Sequence, residues 1–192
     1  MKIIFASNNE NKRAEIQQAL GDAFQLVSLR EMNFDEEIPE TTPTLEGNAL
    51  QKANYVFDRF KLPVFADDSG LEIEALNGEP GVDTAHYSGT RDALANNIKV
   101  LRLLDNNNRR NAKFRTVIAF VTQKGEWTFE GEVKGAITTE MRGENGFGYD
   151  PVFIPEGETR TFGEMSLEEK GKMSHRIRAL KKFVTFLKNE KF

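Results

Sequence analysis

The sequence predicts an α/β protein with a mixed, twisted sheet flanked by helices. Apolar runs of strand length alternate along the chain with segments whose apolar residues have helical spacing. Two apolar runs near the middle, residues 112–123 and 126–133, are separated by "KG" and predict an antiparallel hairpin. Alternating strands and helices favour parallel pairing, and the hairpin adds an antiparallel pair, so we expect both pairing directions in the sheet.

The N-terminal part predicts a strand, a polar loop and a helix in immediate succession. Residues 2–6 are apolar, "SNNENK" follows, and helical spacing begins at Ala14 and ends at Gly21. A second strand is expected at residues 24–29.

The next segment predicts a long helix and a buried strand. Thr42 and Pro43 are typical of a helix start, and the helix should end before Pro63. The strand that begins at residue 64 is expected to break at Ser69 and Gly70 and then to resume. The predicted apolar face of the helix comprises Leu45, Ala49, Ala53, Val56, Phe57 and Phe60.

Helices are also predicted in the second half of the chain. A helix over residues 92–104 should bury Leu94, Ile98 and Leu101 on one face. "SLEEK" has the spacing of a capping box, and the last helix should begin near Ser174. Since no linker or repeat interrupts the sequence, we expect residues 1–192 to form a single domain with two lobes.

Composition narrows the possible functions. The 192 residues carry a formal net charge of only −4, so no overall charge attracts the chain to nucleic acid or to an anionic membrane, and we expect neither as a partner. No apolar run approaches the roughly 20 residues that span a bilayer, so we expect a cytoplasmic protein. The absence of cysteine excludes disulfides and thiolate nucleophiles. With only His86 and His175 as histidines, any metal should be a hard cation held by carboxylates.

The loop "SNNENK" lies where the first strand meets the first helix. A helix N-terminus presents unpaired N–H groups to an anion, and Lys12 adds a positive charge, so this segment can bind phosphate. Ser7, Asn8 and Asn9 supply further hydrogen-bonding groups. The alternative is that Asn9 or Asn11 only caps the helix and that Lys12 is solvated.

Asp67 and Asp68 directly follow the buried strand. One aspartate would suit a turn, but two adjacent carboxylates repel each other unless a cation such as Mg²⁺ neutralises them. The acidic segment "EEIPE" could supply a third ligand, and Glu40 is the best candidate because it lies closest to a helix start. Glu36 and Glu37 are expected to be solvated.

Two later motifs suggest contacts with a planar, anionic or carbonyl-rich ligand. "NGFGYD" has the composition of a loop that stacks Phe147 and Tyr149 on a ring, although a turn with core aromatics is the alternative. "KGKMSHR" places Lys170, His175 and Arg176 near a helix N-terminus, where cations oppose the helix dipole. These cations could instead belong to a solvated turn.

Taken together, the motifs resemble a known family. "SNNENK", "ADDSGLEIEAL", "GEPGVDTAHYSG", "GFGYDPVF" and "EKGKMSHR" occur in that order over nearly the whole chain and are similar to motifs of the Ham1 family of inosine and xanthosine triphosphate pyrophosphatases. The resemblance implies a homodimer whose two lobes flank a nucleotide-binding cleft. It also implies Mg²⁺-dependent hydrolysis of ITP, dITP and XTP to the monophosphate and pyrophosphate.

The resemblance also implies roles for individual residues. Glu40 and Asp68 match metal ligands, with Asp67 as a further candidate from its position, and Asp68 matches the general base. His86 is a departure, because the family pattern has arginine there. A pyrophosphatase for pyrimidine or modified nucleotides and a non-hydrolysing nucleotide-binding module remain as alternatives. The expected substrate contacts are Ser7, Asn8, Asn9, Glu10, Asn11, Lys12, Ser69, Phe147, Gly148, Tyr149, Asp150, Lys170, His175 and Arg176.

Overall fold

The computed structural model describes residues 2–9, 11–13, 16–17 and 24–190. The chain divides into two compact units. Unit 1 comprises Met1–Asp68, Thr116–Gly131 and Arg176–Phe192, and unit 2 comprises Ser69–Arg115 and Glu132–His175.

The predicted mixed sheet is confirmed. In the described part of the chain the sheet has the strand order β2-β1-β3-β4-β5-β6. β1 pairs in parallel with β2 and with β3, whereas β5 and β6 are antiparallel. The strands are β1 (Lys2–Phe5), β2 (Gln25–Ser28), β3 (Val64–Ile73), β4 (Asn111–Thr122), β5 (Gly125–Ile137) and β6 (Phe153–Pro155).

The central strands differ from the sequence prediction at one point. β4 and β5 are neighbours joined by two residues, as the predicted hairpin requires. The predicted break at Ser69 and Gly70 is wrong, because β3 continues through both residues. Gly70 is not among the glycines with positive φ, so it fits an extended strand and makes no turn. Asp67 and Asp68 consequently lie inside a strand rather than at its end.

Three helices have the expected caps or starting points, whereas the long helix begins at Leu45, two residues after the predicted Pro43. The Thr44 side chain accepts a hydrogen bond from the Gly47 amide at the start of α1 (Leu45–Phe60). Asp92 caps α2 (Ala93–Leu103), and Ser166 and Glu169 form the predicted capping box of α3 (Leu167–Met173). α4 extends over His175–Asn189. No helix of the described chain is both long enough and apolar enough to cross a membrane.

The first predicted helix is described only in part. Residues 11–13 and 16–17 are helical, and Ile16 is fully buried. The predicted start at Ala14 and end at Gly21 lie outside the described residues.

Each unit has its own aromatic core. In unit 1, Phe65 of β3 lies 4.9 Å from Phe5 and 5.2 Å from Phe183, measured between ring centroids. In unit 2, Phe114 of β4 lies 4.6 Å from Phe153. Phe65 thereby anchors β3, the strand that carries Asp67 and Asp68, in the core of unit 1.

The predicted orientation of α2 is wrong. Leu94 and Ile98 are 55% and 50% exposed, whereas Asn96 and Asn97 on the other side of the helix are buried. The asparagines are buried because they bind backbone groups: Asn96 Oδ1 accepts a hydrogen bond from the Ser88 amide at 2.7 Å. The spacing of apolar residues could not reveal these hydrogen bonds, which hold the asparagine side of α2 against the protein interior.

Candidate functional site

Asp67 is completely buried in β3 and is paired with two cations of unit 1. Its Oδ2 lies 3.2 Å from Lys12 Nζ and accepts a hydrogen bond from Arg176 Nε at 3.2 Å. Burial by itself raises the pKa of Asp67, but the charges of Lys12 and Arg176 outweigh burial and hold the pKa well below its usual value. Asp67 therefore stays ionised as the anionic centre of this cluster.

Asp68 belongs to a second cluster in unit 1. Lys52 of α1 donates a hydrogen bond to Asp68 Oδ1 at 3.1 Å and another to Glu40 Oε1. Burial raises the pKa of Asp68 above its usual value in spite of the nearby ammonium. For Lys52, burial alone lowers the pKa, but Asp68 and Glu40 together raise it. Lys52 therefore stays protonated beside a carboxylate that accepts a proton more readily than an ordinary aspartate.

The two adjacent aspartates have different partners. Successive side chains of a strand point to opposite faces, and here Asp67 contacts Lys12 and Arg176 whereas Asp68 contacts Lys52. The turn interpretation is wrong, because both residues lie within β3. Protein cations offset the charge of Asp67, and its role as a metal ligand stays a prediction.

Asp68 and Glu40 fit the expected cation. Asp68 Oδ2 is buried and has no hydrogen-bond partner among the described residues, so it has electron pairs to share. No group of three or more His, Asp or Glu residues in the described part of the chain is arranged to hold a metal. This sparse donor set suits Mg²⁺, which usually takes one or two carboxylates and completes its shell with water and substrate phosphates.

The polar N-terminal motif combines a helix cap with a half-buried lysine. Asn9 Oδ1 accepts hydrogen bonds from the amides of Asn11 and Lys12, so Asn9 caps the helical segment. Lys12 is not a solvated residue, because its ammonium reaches Asp67. Of the other motif residues, Ser7 accepts a hydrogen bond from the Asn9 amide, Asn8 and Asn11 are exposed, and Glu10 lies outside the described residues.

The glycine-rich loop of unit 2 is held by Asp150. Asp150 Oδ2 accepts hydrogen bonds from the Phe147 amide at 2.8 Å and from Lys170 Nζ at 2.7 Å. The Lys170 ammonium also lies 4.6 Å from the centre of the Phe147 ring. Gly146 has a φ of +77°, and a Cβ there would lie 2.1 Å from Asp150 Oδ2, so only glycine fits. Phe147 is thus half-buried on a fixed loop.

The other predicted contacts of unit 2 differ in their burial. The Tyr149 ring is buried and its hydroxyl donates to the Thr84 carbonyl at 2.9 Å, so only Phe147 has the expected partial exposure. His175 is buried with its ring stacked on Phe114 at 4.7 Å. Ser69 is half-buried, and Gly148 has a positive φ of 64°.

Nearly the whole sequence matches a known family. The sequence profile of the Ham1 family covers residues 3–186. The chain belongs to the Ham1 family. Individual members align with nearly the full length of this chain, and this chain covers nearly the full length of each of them.

Two relatives and two solved structures illustrate the similarity. A dITP/XTP pyrophosphatase of Porphyromonas gingivalis is 50% identical over 97% of each chain, and one of Flavobacterium johnsoniae is 46% identical over 97% of this chain and 98% of the relative. The Ham1 protein of Staphylococcus aureus has a TM-score of 0.92 and 37% identity, with 100% of both chains covered. A nucleoside-triphosphatase, dITP/XTP pyrophosphatase, of Mycobacterium abscessus has a TM-score of 0.79 and 44% identity over 96% of this chain and 99% of that one.

Within this Ham1 protein, an arginine lies close to the unusual His86. Arg91 Nε donates a hydrogen bond to His86 Nε2 at 2.6 Å. The loop therefore keeps a guanidinium beside the position where the family pattern has arginine.

Sequence reasoning missed Lys52 and Asn97. Lys52 lies between Ala49 and Ala53 on the buried face of α1, and a lysine on an apolar helix face was the available signal. Asn97 donates to the Gly148 carbonyl at 2.8 Å, but its helical spacing gave no indication of this loop contact.

Proposed function

We propose that this Ham1 protein hydrolyses the triphosphates of deaminated purine nucleosides, ITP, dITP and XTP, to the monophosphate and pyrophosphate. The observation that carries the proposal is Asp68, a buried carboxylate with a raised pKa and an unpartnered Oδ2 beside the protonated Lys52. A base of this kind suits attack by water on a phosphoanhydride. The names of the relatives, dITP/XTP pyrophosphatase, support the choice of substrate.

Asp68 acts as the general base in the proposed reaction. The water oxygen bonds to the α-phosphorus, the bond from that phosphorus to the oxygen bridging to the β-phosphate breaks, and the water proton passes to Asp68. Without a bound cation, burial raises the pKa of Asp68, so the carboxylate accepts a proton more readily than an ordinary aspartate does. Release of the proton to solvent restores the carboxylate without a covalent intermediate.

Lysines of unit 1 stabilise the phosphate charge. Burial lowers the pKa of Lys12 in spite of Asp67, and an anionic phosphate beside the ammonium would raise that pKa again. Lys12 then supports the departing pyrophosphate, and Lys52 keeps Asp68 and Glu40 in place.

We further propose that Glu40 and Asp68 hold Mg²⁺. The bound ion would neutralise the negative charge that develops on the phosphoryl oxygens. The exposed Glu40 and the buried Asp68 share the Lys52 ammonium, which sets the position of both carboxylates. Few protein ligands leave coordination positions for water and phosphate.

Phe147 is the proposed stacking surface for the purine. Stacking of a base on an aromatic ring is worth roughly 1–3 kcal/mol and is insensitive to the identity of the base. Asp150 and Lys170 fix the loop, so they act by orienting Phe147. Recognition of the purine carbonyl by His175 and Arg176 stays a prediction.

The deciding experiment measures pyrophosphate release from ITP, dITP and XTP beside ATP, GTP and a pyrimidine triphosphate, with and without Mg²⁺. We expect the deaminated purines to give the highest kcat/KM. Faster release from the pyrimidine nucleotide would favour the alternative pyrophosphatase. Binding of ITP without any product would favour the non-hydrolysing module.

Glu40→Gln is expected to raise the Mg²⁺ concentration needed for half-maximal activity by about tenfold or more, the scale on which changes around a metal site reduce metal affinity. The variant removes one negative charge from the proposed metal ligands, Glu40 and Asp68, and nearly keeps the shape of the side chain at residue 40. Titration of activity with Mg²⁺ checks the shift. Glu36→Gln is the matched control, because Glu36 is similarly exposed and accepts a hydrogen bond from Tyr55. Equal Mg²⁺ curves for both variants would remove Glu40 from the metal site.

Asn97→Asp is expected to raise the KM for ITP by roughly tenfold with a smaller change in kcat. Its new carboxylate oxygen would face the Gly148 carbonyl in place of the donor, and an unmade buried hydrogen bond costs about 1–3 kcal/mol. The loop that carries Phe147 would then lose its fixed position. Steady-state kinetics separates the change in KM from the change in kcat, and the exposed Asn108→Asp is the control. An unchanged KM would show that Asn97 does not position this loop.

The family resemblance also leads us to propose that the chain acts as a homodimer and, since its proposed substrates belong to the nucleotide pool, that it acts in the cytoplasm.

A further inference from the structure

The chain contains two Asn–Gly sequences, one formed by Asn145 and Gly146 and the other by Asn77 and Gly78. We propose that Asn145 is a site of spontaneous deamidation and that the fold protects Asn77 from the same reaction. Both asparagines are exposed, so access to solvent does not distinguish them. The difference lies in the main-chain amide of the glycine that follows each asparagine.

Deamidation uses that glycine amide as the nucleophile. The main-chain nitrogen attacks Cγ of the asparagine, a cyclic imide forms, the bond from Cγ to Nδ2 breaks, and ammonia leaves with the proton of the attacking amide. Glycine allows this attack more readily than other residues because it has no Cβ to obstruct the approach. Water then opens the imide on one side to give aspartate, or on the other side to give isoaspartate, in which the main chain runs through Cγ and the original main-chain carbonyl becomes a carboxylate.

The two glycine amides differ in their hydrogen bonds. Neither the Gly146 amide nor the Asn145 side chain makes a hydrogen bond to any residue that the structure describes, and both residues lie in an exposed irregular loop. The Gly78 amide instead donates a hydrogen bond to the Ile73 carbonyl at 3.0 Å. The attacking nitrogen must lose its proton, so ring closure at Asn77 has to break this hydrogen bond first, whereas ring closure at Asn145 breaks none.

The loop cannot avoid this reaction by replacing its glycine. Gly146 has a φ of +77°, and a Cβ at this position would overlap Asp150 Oδ2. A larger residue would slow the attack on Asn145, but it would also displace the carboxylate that accepts the hydrogen bond of the Phe147 amide. The same close packing that orders Phe147 therefore keeps Asn145 susceptible to deamidation.

Isoaspartate at residue 145 would displace Phe147. The Asn145 amide donates a hydrogen bond to the Gly163 carbonyl at 2.9 Å. The Phe147 amide donates to Asp150 Oδ2 at 2.8 Å, so both ends of this short segment are held. Isoaspartate lengthens the main chain between the two hydrogen bonds by one methylene group and adds a carboxylate. The segment can accommodate the extra carbon only by losing one of the hydrogen bonds or by moving the Phe147 ring.

Peptide mapping of the full chain after incubation at mildly alkaline pH tests the site. Trypsin releases Asn145 in the peptide 143–160 and Asn77 in the peptide 62–91, and neither peptide contains another asparagine. Mass spectrometry detects the replacement of the amide NH₂ by OH, and fragmentation distinguishes isoaspartate from aspartate. We expect Asn145 to convert at least about tenfold faster than Asn77, the factor that corresponds to one hydrogen bond.

The unfolded chain is the control for the effect of structure. In guanidinium chloride the Gly78 amide loses its hydrogen bond, so Asn77 and Asn145 should convert at similar rates. Equal rates in the folded chain, an intact Asn145, or equally slow conversion of Asn77 in the unfolded chain would each overturn the proposal. The peptides are measured without substrate, so this result does not depend on the proposed reaction.

Kinetics of the incubated protein tests the displacement of Phe147, a consequence that rests on the proposed function. The KM for ITP should rise by about tenfold as isoaspartate accumulates, because stacking on Phe147 is lost. Asn145→Gln should keep the KM that it has before incubation, since the longer side chain closes a ring slowly, whereas Asn77→Gln should change as the wild type does. Asn145→Asp carries the carboxylate without the extra methylene group, so it should raise the KM less than isoaspartate.

The outcomes separate the proposals. A constant KM while Asn145 converts to isoaspartate would overturn the displacement of Phe147. Absence of ITP turnover before incubation would overturn the proposed function, and the peptide rates would still decide whether Asn145 deamidates.

Discussion

Asp68→Asn is expected to lower the turnover of ITP by about 10²- to 10⁴-fold, the usual loss when a general base is removed. The amide nearly keeps the shape of the side chain but accepts no proton from water, and it weakens the proposed Mg²⁺ site. Because burial disfavours the charge of Asp68, the neutral side chain should not unfold the protein. Pyrophosphate release at saturating ITP and Mg²⁺ measures the effect, and circular dichroism confirms the fold.

Asp58→Asn is the matched control for this variant. Asp58 pairs with Lys61 at 2.8 Å on the surface, so both substitutions remove one carboxylate–ammonium pair, but only Asp68 lies in the proposed site. The control should keep near-normal turnover. Near-normal turnover in Asp68→Asn would exclude Asp68 as the general base.

Arg176→Met is expected to lower the free energy of unfolding by about 3–5 kcal/mol, the range for breaking a buried ion pair by removing one partner. Arg176 is 1% exposed and donates to the fully buried Asp67. Lys12 would remain 3.2 Å from the Asp67 carboxylate, but the closer match of charge given by two cations would be lost. Urea unfolding at pH 7 measures the loss.

Two comparisons separate this effect from a general disturbance of α4. Arg178→Met changes an exposed arginine two residues further along the same helix and should cost much less. Adding Asp67→Asn to Arg176→Met should recover part of the stability, because it removes the uncompensated charge. If Arg178→Met were equally destabilising, or if the double variant recovered nothing, the ion pair would not be the cause.

The pH dependence of Arg176→Met has a definite sign. The pKa of Asp67 is lowered in the folded protein, so its ion pairs contribute stability above the ordinary aspartate pKa of about 3.9. That contribution decreases as the pH falls below about 4 toward the lowered pKa. The difference in unfolding free energy between the wild type and Arg176→Met should therefore shrink between pH 5 and pH 3.

Local sequence patterns predicted where helices and strands lie better than they predicted how each element contacts the rest of the protein. The capping box at Ser166 and the start of α4 depend on neighbouring residues, and both are confirmed. The orientation of α2 depends on hydrogen bonds from Asn97 to a loop 51 residues further along the chain, which no periodicity encodes. The predicted break in β3 failed because serine and glycine permit a turn without requiring one.

In the candidate site too, the sequence revealed the residues that stand out locally but not their distant partners. Asp67 and Asp68 stood out from the sequence because adjacent buried carboxylates need compensation. The sequence led only to a metal as the source of compensating charge, and the structure adds Lys12, Lys52 and Arg176 beside the aspartates. Lysines and arginines are normally solvated, so only the three-dimensional arrangement shows which of them are buried beside an aspartate.

The two adjacent aspartates also bear on when the protein becomes competent during synthesis. Asp67 is 55 residues from Lys12 and 109 residues from Arg176, and Asp68 is 16 residues from Lys52. A nascent chain that ends before Arg176 contains both carboxylates but lacks one of the cations that keep Asp67 ionised in the interior. Contacts between residues so far apart in sequence have a high loop-closure cost. The Asp67 cluster with both of its cations can form only after Arg176 of α4 has been synthesised. An incomplete translation product would consequently lack the complete Asp67 cluster, although it would contain Lys52, Asp68 and Glu40.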